Sequence, residues 1–114
     1  MATKQSTVDY ILDQLQSIKN ISARKMFGEY AVYCEAKVLA LVCDDILYVK
    51  ITEVGKNFVG SNYTEGLPYP GAKPWMVIDE EQIEDANWLA ELVFITAESL
   101  PAPKPKKLKK KFRK

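Results

Sequence analysis

Between positions 8 and 18 the chain sets Val8, Ile11, Leu12, Leu15 and Ile18 three and four residues apart, with Asp9, Asp13, Gln14 and Gln16 among them. That spacing gathers the apolar side chains on one face of a helix and leaves the other face wet. Ser6 or Thr7 is the expected N-terminal cap, and Lys19-Asn20 the expected end. The period then shortens. From residue 27 to residue 50, β-branched and aromatic residues dominate the runs 29–34, 38–43 and 46–51, which predicts three antiparallel strands in a meander. Turns are expected near Glu35-Ala36-Lys37 and at Asp44-Asp45. The run 38–43 is almost continuously apolar, as suits a central strand covered on both faces.

Further on, Thr52 caps a short expected helix that closes before Gly60, and 60–66 reads as loop. Leu67-Pro68-Tyr69-Pro70-Gly71 is too rich in proline for a central strand, so it reads as an edge strand or an extended segment entering a turn. Residues 75–78 give another strand. Asp79 with Gln82 three positions later has the form of a capping box, and after a short break Asp85-Ala86-Asn87 opens a final helix reaching about residue 100. Trp88, Leu89, Leu92, Val93, Ile95 and Leu100 spread over one wide side of it, with Phe94 away from the centre. A stripe of about 100° is enough to pack a helix on its own sheet. Two readings of the excess stand: deep burial between sheet and loop, or a subunit contact through Trp88, Leu92, Phe94 and Ile95. The elements together predict an α+β domain, an antiparallel sheet with flanking helices in the order α-β-β-β-α-β-β-α.

Composition divides the chain in two. Its 114 residues, 47% of them hydrophobic, suit one domain with a real core. Residues 1–100 carry 8 Lys and Arg against 15 Asp and Glu, a net of −7, whereas residues 101–114 carry 8 Lys and Arg and no acid. The domain is therefore expected over 1–100. The remainder is expected to be a disordered Pro/Lys-rich tail, because alternating proline favours an extended spacer and like charges resist folding. Lys104, Lys106, Lys107, Lys109, Lys110, Lys111, Arg113 and Lys114 are the candidate polyanion-binding residues, with Phe112 available to stack on a base. Contact with nucleic acid, self-shielding on the acidic body and an anionic membrane surface all fit that tail. No apolar run approaches the roughly 18 residues of a membrane span, and the first residues lack the apolar core of a secretory signal. A cytoplasmic address is expected.

Candidate chemistry is sparse. The chain has no histidine, no phosphate-binding glycine loop and no nucleophile–base signature, so no catalytic residue, metal or cofactor is expected. Cys34 beside the first turn and Cys43 several residues away are too far apart along paired strands for a disulfide and read as strand-face thiols. Asp44-Asp45 reads as a polar turn rather than a cation site. In the segment 24–30, Gly28 suggests a bulge or a positive φ. Met26 and Phe27 read as core plugs joining helix to sheet, with the wall of a ligand pocket as the alternative. Arg24 and Lys25 are either solvated or face an anion. Tyr63, Tyr69 and Trp75 bracket the proline loop, either packed over a sheet edge or forming an aromatic binding surface.

Arg24-Lys25-Met26-Phe27-Gly28-Glu29-Tyr30 resembles the Arg-x-Met-Phe-Gly-Gly-Tyr opening of the TfoX N-terminal domain family. Residues 40–50, from Ala-Leu-Val through the acidic turn to Leu47, Tyr48 and Lys50, are similar to that family's next segment. Pro68-Tyr69-Pro70 and the aromatic last helix also fall in order, so the likeness runs from about Ser6 to the lysine tail. Glu29 stands where the family has a second glycine, and the tail stands where the longer regulators carry another domain. The resemblance implies a secretion-chaperone-like fold, a homodimer or protein partner, and a link to competence gene expression in bacteria. It implies no catalytic residues, and gives Arg24, Met26, Phe27, Gly28, Tyr30, Leu47, Tyr48 and Lys50 a mainly structural part. A non-enzymatic regulatory or adaptor domain is the leading expectation. A nucleic-acid binder acting through the tail comes second, and a small-molecule binder or uncharacterised enzyme third.

Overall fold

Three hairpins in succession build most of the sheet. In the computed structural model, which describes residues 3–100, strands β1 (Ile21–Met26), β2 (Glu29–Cys34), β3 (Lys37–Cys43) and β4 (Ile46–Val49) pair antiparallel in chain order. Each connection is two residues long: Phe27-Gly28, Glu35-Ala36 and Asp44-Asp45. All six of these residues have positive φ, from 50° at Phe27 to 83° at Gly28. Paired left-handed residues are the turn whose twist matches that of flanking strands. A bulge opposite Val32 and Tyr33 leaves Leu39 as an extra residue on β3.

The chain then forms α2 (Glu53–Val59), a 3-10 turn at Gly60–Asn62, the two-residue strand β5 (Glu65–Gly66) and β6 (Trp75–Ile78), giving the sheet order β1-β2-β3-β4-β6-β5. With α1 (Gln5–Gln14), α3 (Glu80–Glu84) and α4 (Ala86–Ser99) this is the α+β antiparallel fold that the pattern predicts. The expected caps are present. Gly55 N–H donates to Thr52 Oγ1, the Asp79–Gln82 capping box is complete, and Trp88 N–H donates to Asp85 Oδ1.

All four helices lie on one face of the sheet. Val8, Ile11 and Leu15 from α1 and its C-terminal cap, Ile83 from α3, and Leu89, Leu92 and Val93 from α4 interlock with Val32, Val42, Leu47, Val49, Met76 and Ile78. The other face has its own smaller cluster: Ala31, Leu41, Cys43 and Tyr48 buried, with Tyr33, Val38, Trp75 and Val77 packed beside them and no helix residue among them. β3 is therefore covered on both sides, as its continuous apolarity requires. Cys34 belongs to the helix-side core and Cys43 to the opposite face. Both are free and buried, and burial pushes both thiols up.

Several expectations are corrected. β1 is a strand that the periodicity does not announce, because only Ile21 and Ala23 alternate inward along an otherwise exposed edge. α1 ends at Gln14, well before Asn20, and neither Ser6 nor Thr7 caps it: Lys4 is the N-cap. The start is held from across the fold, where Asp45 Oδ1 accepts both Lys4 N–H and Thr7 Oγ1–H at 2.9 Å. β4 stops at Val49. The edge strand is Glu65–Gly66 rather than the proline run, whose Tyr69 carbonyl accepts Ala72 N–H in a turn. Gly66 is needed there, since a Cβ would stand 2.7 Å from Val77 Cγ2. The wide apolar side of α4 is largely internal: Leu92 is wholly buried, Trp88 is half-buried against Phe58, and Phe94 alone of the suggested contact residues is exposed. Leu92 offers nothing to a partner. Among the described residues no helix is long and apolar enough to cross a membrane.

Candidate interaction groove

The β1–β2 turn decides where the segment 24–30 points. Tyr30 faces the helices and is buried, and its hydroxyl donates to Gln5 Oε1 at 2.7 Å. Strand alternation turns Arg24 and Met26 to the opposite, helix-free face, where the Arg24 guanidinium lies 5.5 Å over the Tyr33 ring. The turn then throws Phe27 outward. Met26 is 40% exposed and Phe27 102%, so neither is the core plug expected of it. An aromatic residue with φ of 50° is in a conformation that glycine or asparagine occupies more cheaply. Local stability is not what selects phenylalanine here, because its side chain touches nothing that would offset the strain.

Beside that turn runs a groove of about 500 Å³ lined by Met26, Phe27, Glu29, Tyr30, Leu41, Cys43, Pro68 and Tyr69. Leu41 and Cys43 form a buried apolar floor, and Tyr69 is a half-exposed wall. Glu29 supplies the one carboxylate and is fixed there. Its Oε1 accepts Thr3 Oγ1–H at 2.6 Å and Asp44 N–H at 3.0 Å, joining the N-terminal segment to two hairpin turns. This gives the residue that replaces glycine in the resemblance a definite part. Of the three aromatic residues that bracket the proline loop, Tyr69 alone lines the groove. Tyr63 packs against the helix-side core and donates to Glu65, and Trp75 packs beside the buried cluster of the helix-free face, its ring 6.0 Å from Lys50 Nζ.

The other motif residues have structural places. Leu47 is in the helix-side core, and Tyr48 is buried on the groove's face, where burial pushes its hydroxyl up. A second cleft, lined by Val59, Asn62, Asp79, Glu81, Asp85 and Trp88, is polar. Its Asp79 and Asp85 carboxylates are occupied with backbone N–H groups at helix starts. Among the described residues no three of Cys, Asp and Glu converge as metal ligands. The basic residues of the tail lie outside the described residues.

The sequence reading missed the groove because its floor and wall come from segments, Leu41 to Cys43 and Pro68-Tyr69, that are distant along the chain from the Phe27-Gly28 turn. Alternation along 38–43 does place Leu41 and Cys43 on one face, but the missing strand was Ile21–Met26, and without it Met26 has no face. Comparison with known proteins adds two findings. Residues 13–99 match the family described as the TfoX N-terminal domain. An uncharacterised 12.7 kDa protein in the trpE 5′ region of Spirochaeta aurantia is 40% identical over 111 residues, which cover 97% of this chain and 95% of that protein.

Proposed function

The chain belongs to the TfoX N-terminal domain family, and from that premise we propose that it is a non-enzymatic regulatory or adaptor domain acting through protein contact at the Phe27 groove. One observation carries the reading. A strained, wholly exposed phenylalanine stands at the rim of an apolar groove, within the Arg24–Tyr30 segment whose sequence resembles the family's opening motif. Exposed aromatic anchors beside dry pockets are the usual carriers of binding energy at protein interfaces. The groove has a volume suited to small ligands, but one fixed carboxylate among apolar walls gives little to orient a substrate. Regulation of competence gene expression is the setting that the family suggests.

The test uses the full chain as bait in a native lysate treated with nuclease, comparing wild type with Phe27→Ser. A protein retained by wild type and lost by the variant is the expected result. Identical profiles would overturn the reading. The charge of the tail supports a second reading, contact with nucleic acid, because eight cations without an acid follow a body of net −7. In that case nuclease removes what the bait retains, whatever residue occupies position 27.

A further inference from the structure

We propose that the protein contacted at the Phe27 groove docks as a β-strand, an extended acidic peptide added to the open edge of β1. This rests on the groove being a protein-contact site and names the class of partner. In the sheet order β1 is an outermost strand, paired through all six residues on one side and with no strand on the other. Its register runs from Ile21 to Met26 without a bulge, and it contains no proline. The opposite edge is the two-residue β5. Edges are commonly kept short, bulged or interrupted because a long regular one is a template for another strand. Of the two edges, β1 has the length to serve as one.

The turn sets which backbone groups are available. Met26 and Glu29 flank the two-residue Phe27-Gly28 turn, so they form the first hydrogen-bonded pair, and Arg24–Ala31 and Ser22–Tyr33 follow. The N–H and C=O groups of Ile21, Ala23 and Lys25 therefore point away from β2. Among the described residues no loop backbone bonds them.

Side chains select the sign. β1 carries Arg24 and Lys25 and no acid, within a domain of net −7. Being consecutive, the two cations project from opposite faces of the sheet, and so do consecutive side chains of an added strand. Acids at adjacent positions of that strand meet one cation on each face. Both cations are exposed, and the Arg24 guanidinium is steadied over the Tyr33 ring. A second β1 would bring four cations and no acid to one seam, and residues 101–114, with eight cations, are equally mismatched. Met26 is both the last residue of the edge and part of the groove's rim. A strand running along β1 toward the turn therefore arrives where an apolar side chain can enter. Main-chain bonds to an edge supply affinity for such a peptide, and a pocket beside them reads its side chain.

The probe is a labelled peptide of valine and threonine with a central pair of glutamates, compared with one carrying a pair of lysines there. Each is titrated into the full chain by fluorescence anisotropy, and amide exchange is followed by NMR. The acidic peptide should bind about tenfold more tightly than the basic one. On binding, the Ala23 and Lys25 amides should slow, while those of Arg24 and Met26, already bonded to β2, should not change. Lys25→Pro removes a cation and an outward N–H without taking a bond from the β2 ladder, and should weaken binding about tenfold. Lys25→Glu keeps the N–H and should weaken binding through charge alone. Slow exchange at Arg24 and Met26 reports that each variant keeps its ladder. No binding of the acidic peptide, equal binding of the two peptides, or unchanged exchange at Ala23 and Lys25 would overturn the inference. Slowing that needs no peptide and grows with protein concentration would overturn it too, making a second copy the occupant. Phe27-dependent capture from lysate that both Lys25 variants leave intact would sink the edge and leave the groove reading standing. Peptide binding at β1 with capture indifferent to Phe27 would do the reverse.

Discussion

The two faces of the sheet are built from the same strands and treated in opposite ways. On one, the sheet residues share a core with the helices, and large residues there (Leu39, Leu47, Met76, Leu89, Leu92) are at most 1% exposed. On the other, a modest buried floor is left with an open groove, and the most prominent aromatic residue stands clear of it. The first face is arranged for stability. The second keeps apolar surface available at the expense of local conformational preference, which is the arrangement that the proposed protein contact requires.

Substitutions should separate the faces. The largest effect belongs to the helix side: Leu92→Ala removes atoms from a fully enclosed site and should lower unfolding free energy by about 2–5 kcal/mol in a denaturant titration. On the groove side the sign reverses. Phe27→Asn puts a left-handed-tolerant residue before Gly28, in the asparagine–glycine order that this turn prefers, and loses no contact. It should raise stability by about 1 kcal/mol while abolishing the partner capture proposed for the groove. A loss of stability there would mean that Phe27 is packed after all and would remove the contrast.

The smallest effect concerns the seam between the faces. Hydrogen bonds from Lys4 N–H and Thr7 Oγ1–H hold the exposed Asp45 carboxyl below the usual carboxylate range. Its folded value lies below its unfolded one, so its contribution is present above the ordinary carboxylate pKa and is lost as pH falls through the folded value. Thermal unfolding of wild type and Asp45→Asn from pH 7 to pH 3 should show the wild type losing ground to the variant over that acid window. Parallel curves would show that the clamp carries no titrating charge.

Legibility followed the same division. Elements defined by their own periodicity or capping chemistry were readable: the runs that became β2, β3 and β6, the Thr52 cap and the Asp79–Gln82 box depend on neighbours within a few positions. Features created by distant partners were not. β1 exists because β2 pairs with it, and its edge position removes the burial that would have shown an alternation. Met26 and Phe27 looked like core residues because hydrophobicity alone does not say which side of a turn faces out. Two consecutive left-handed residues at the tip are what decide it. The reading of α4 as broadly apolar was sound, yet Leu92 needed the sheet and α2 around it before its burial became plain.

The Asp45 clamp also bears on the order in which the molecule assembles. The N-terminal helix is the first element to be synthesised, but the carboxylate that anchors its start lies 41 positions further along, at the third hairpin turn. A nascent α1 of ten residues is too short to persist alone in water. The contact that secures its first turn forms only once the Asp44-Asp45 turn is in place. The expected order is therefore the local β1–β4 ladder first, where every turn joins immediate neighbours, with the opening helix docking afterwards; pulse-labelled amide exchange should protect the hairpin amides before those of α1.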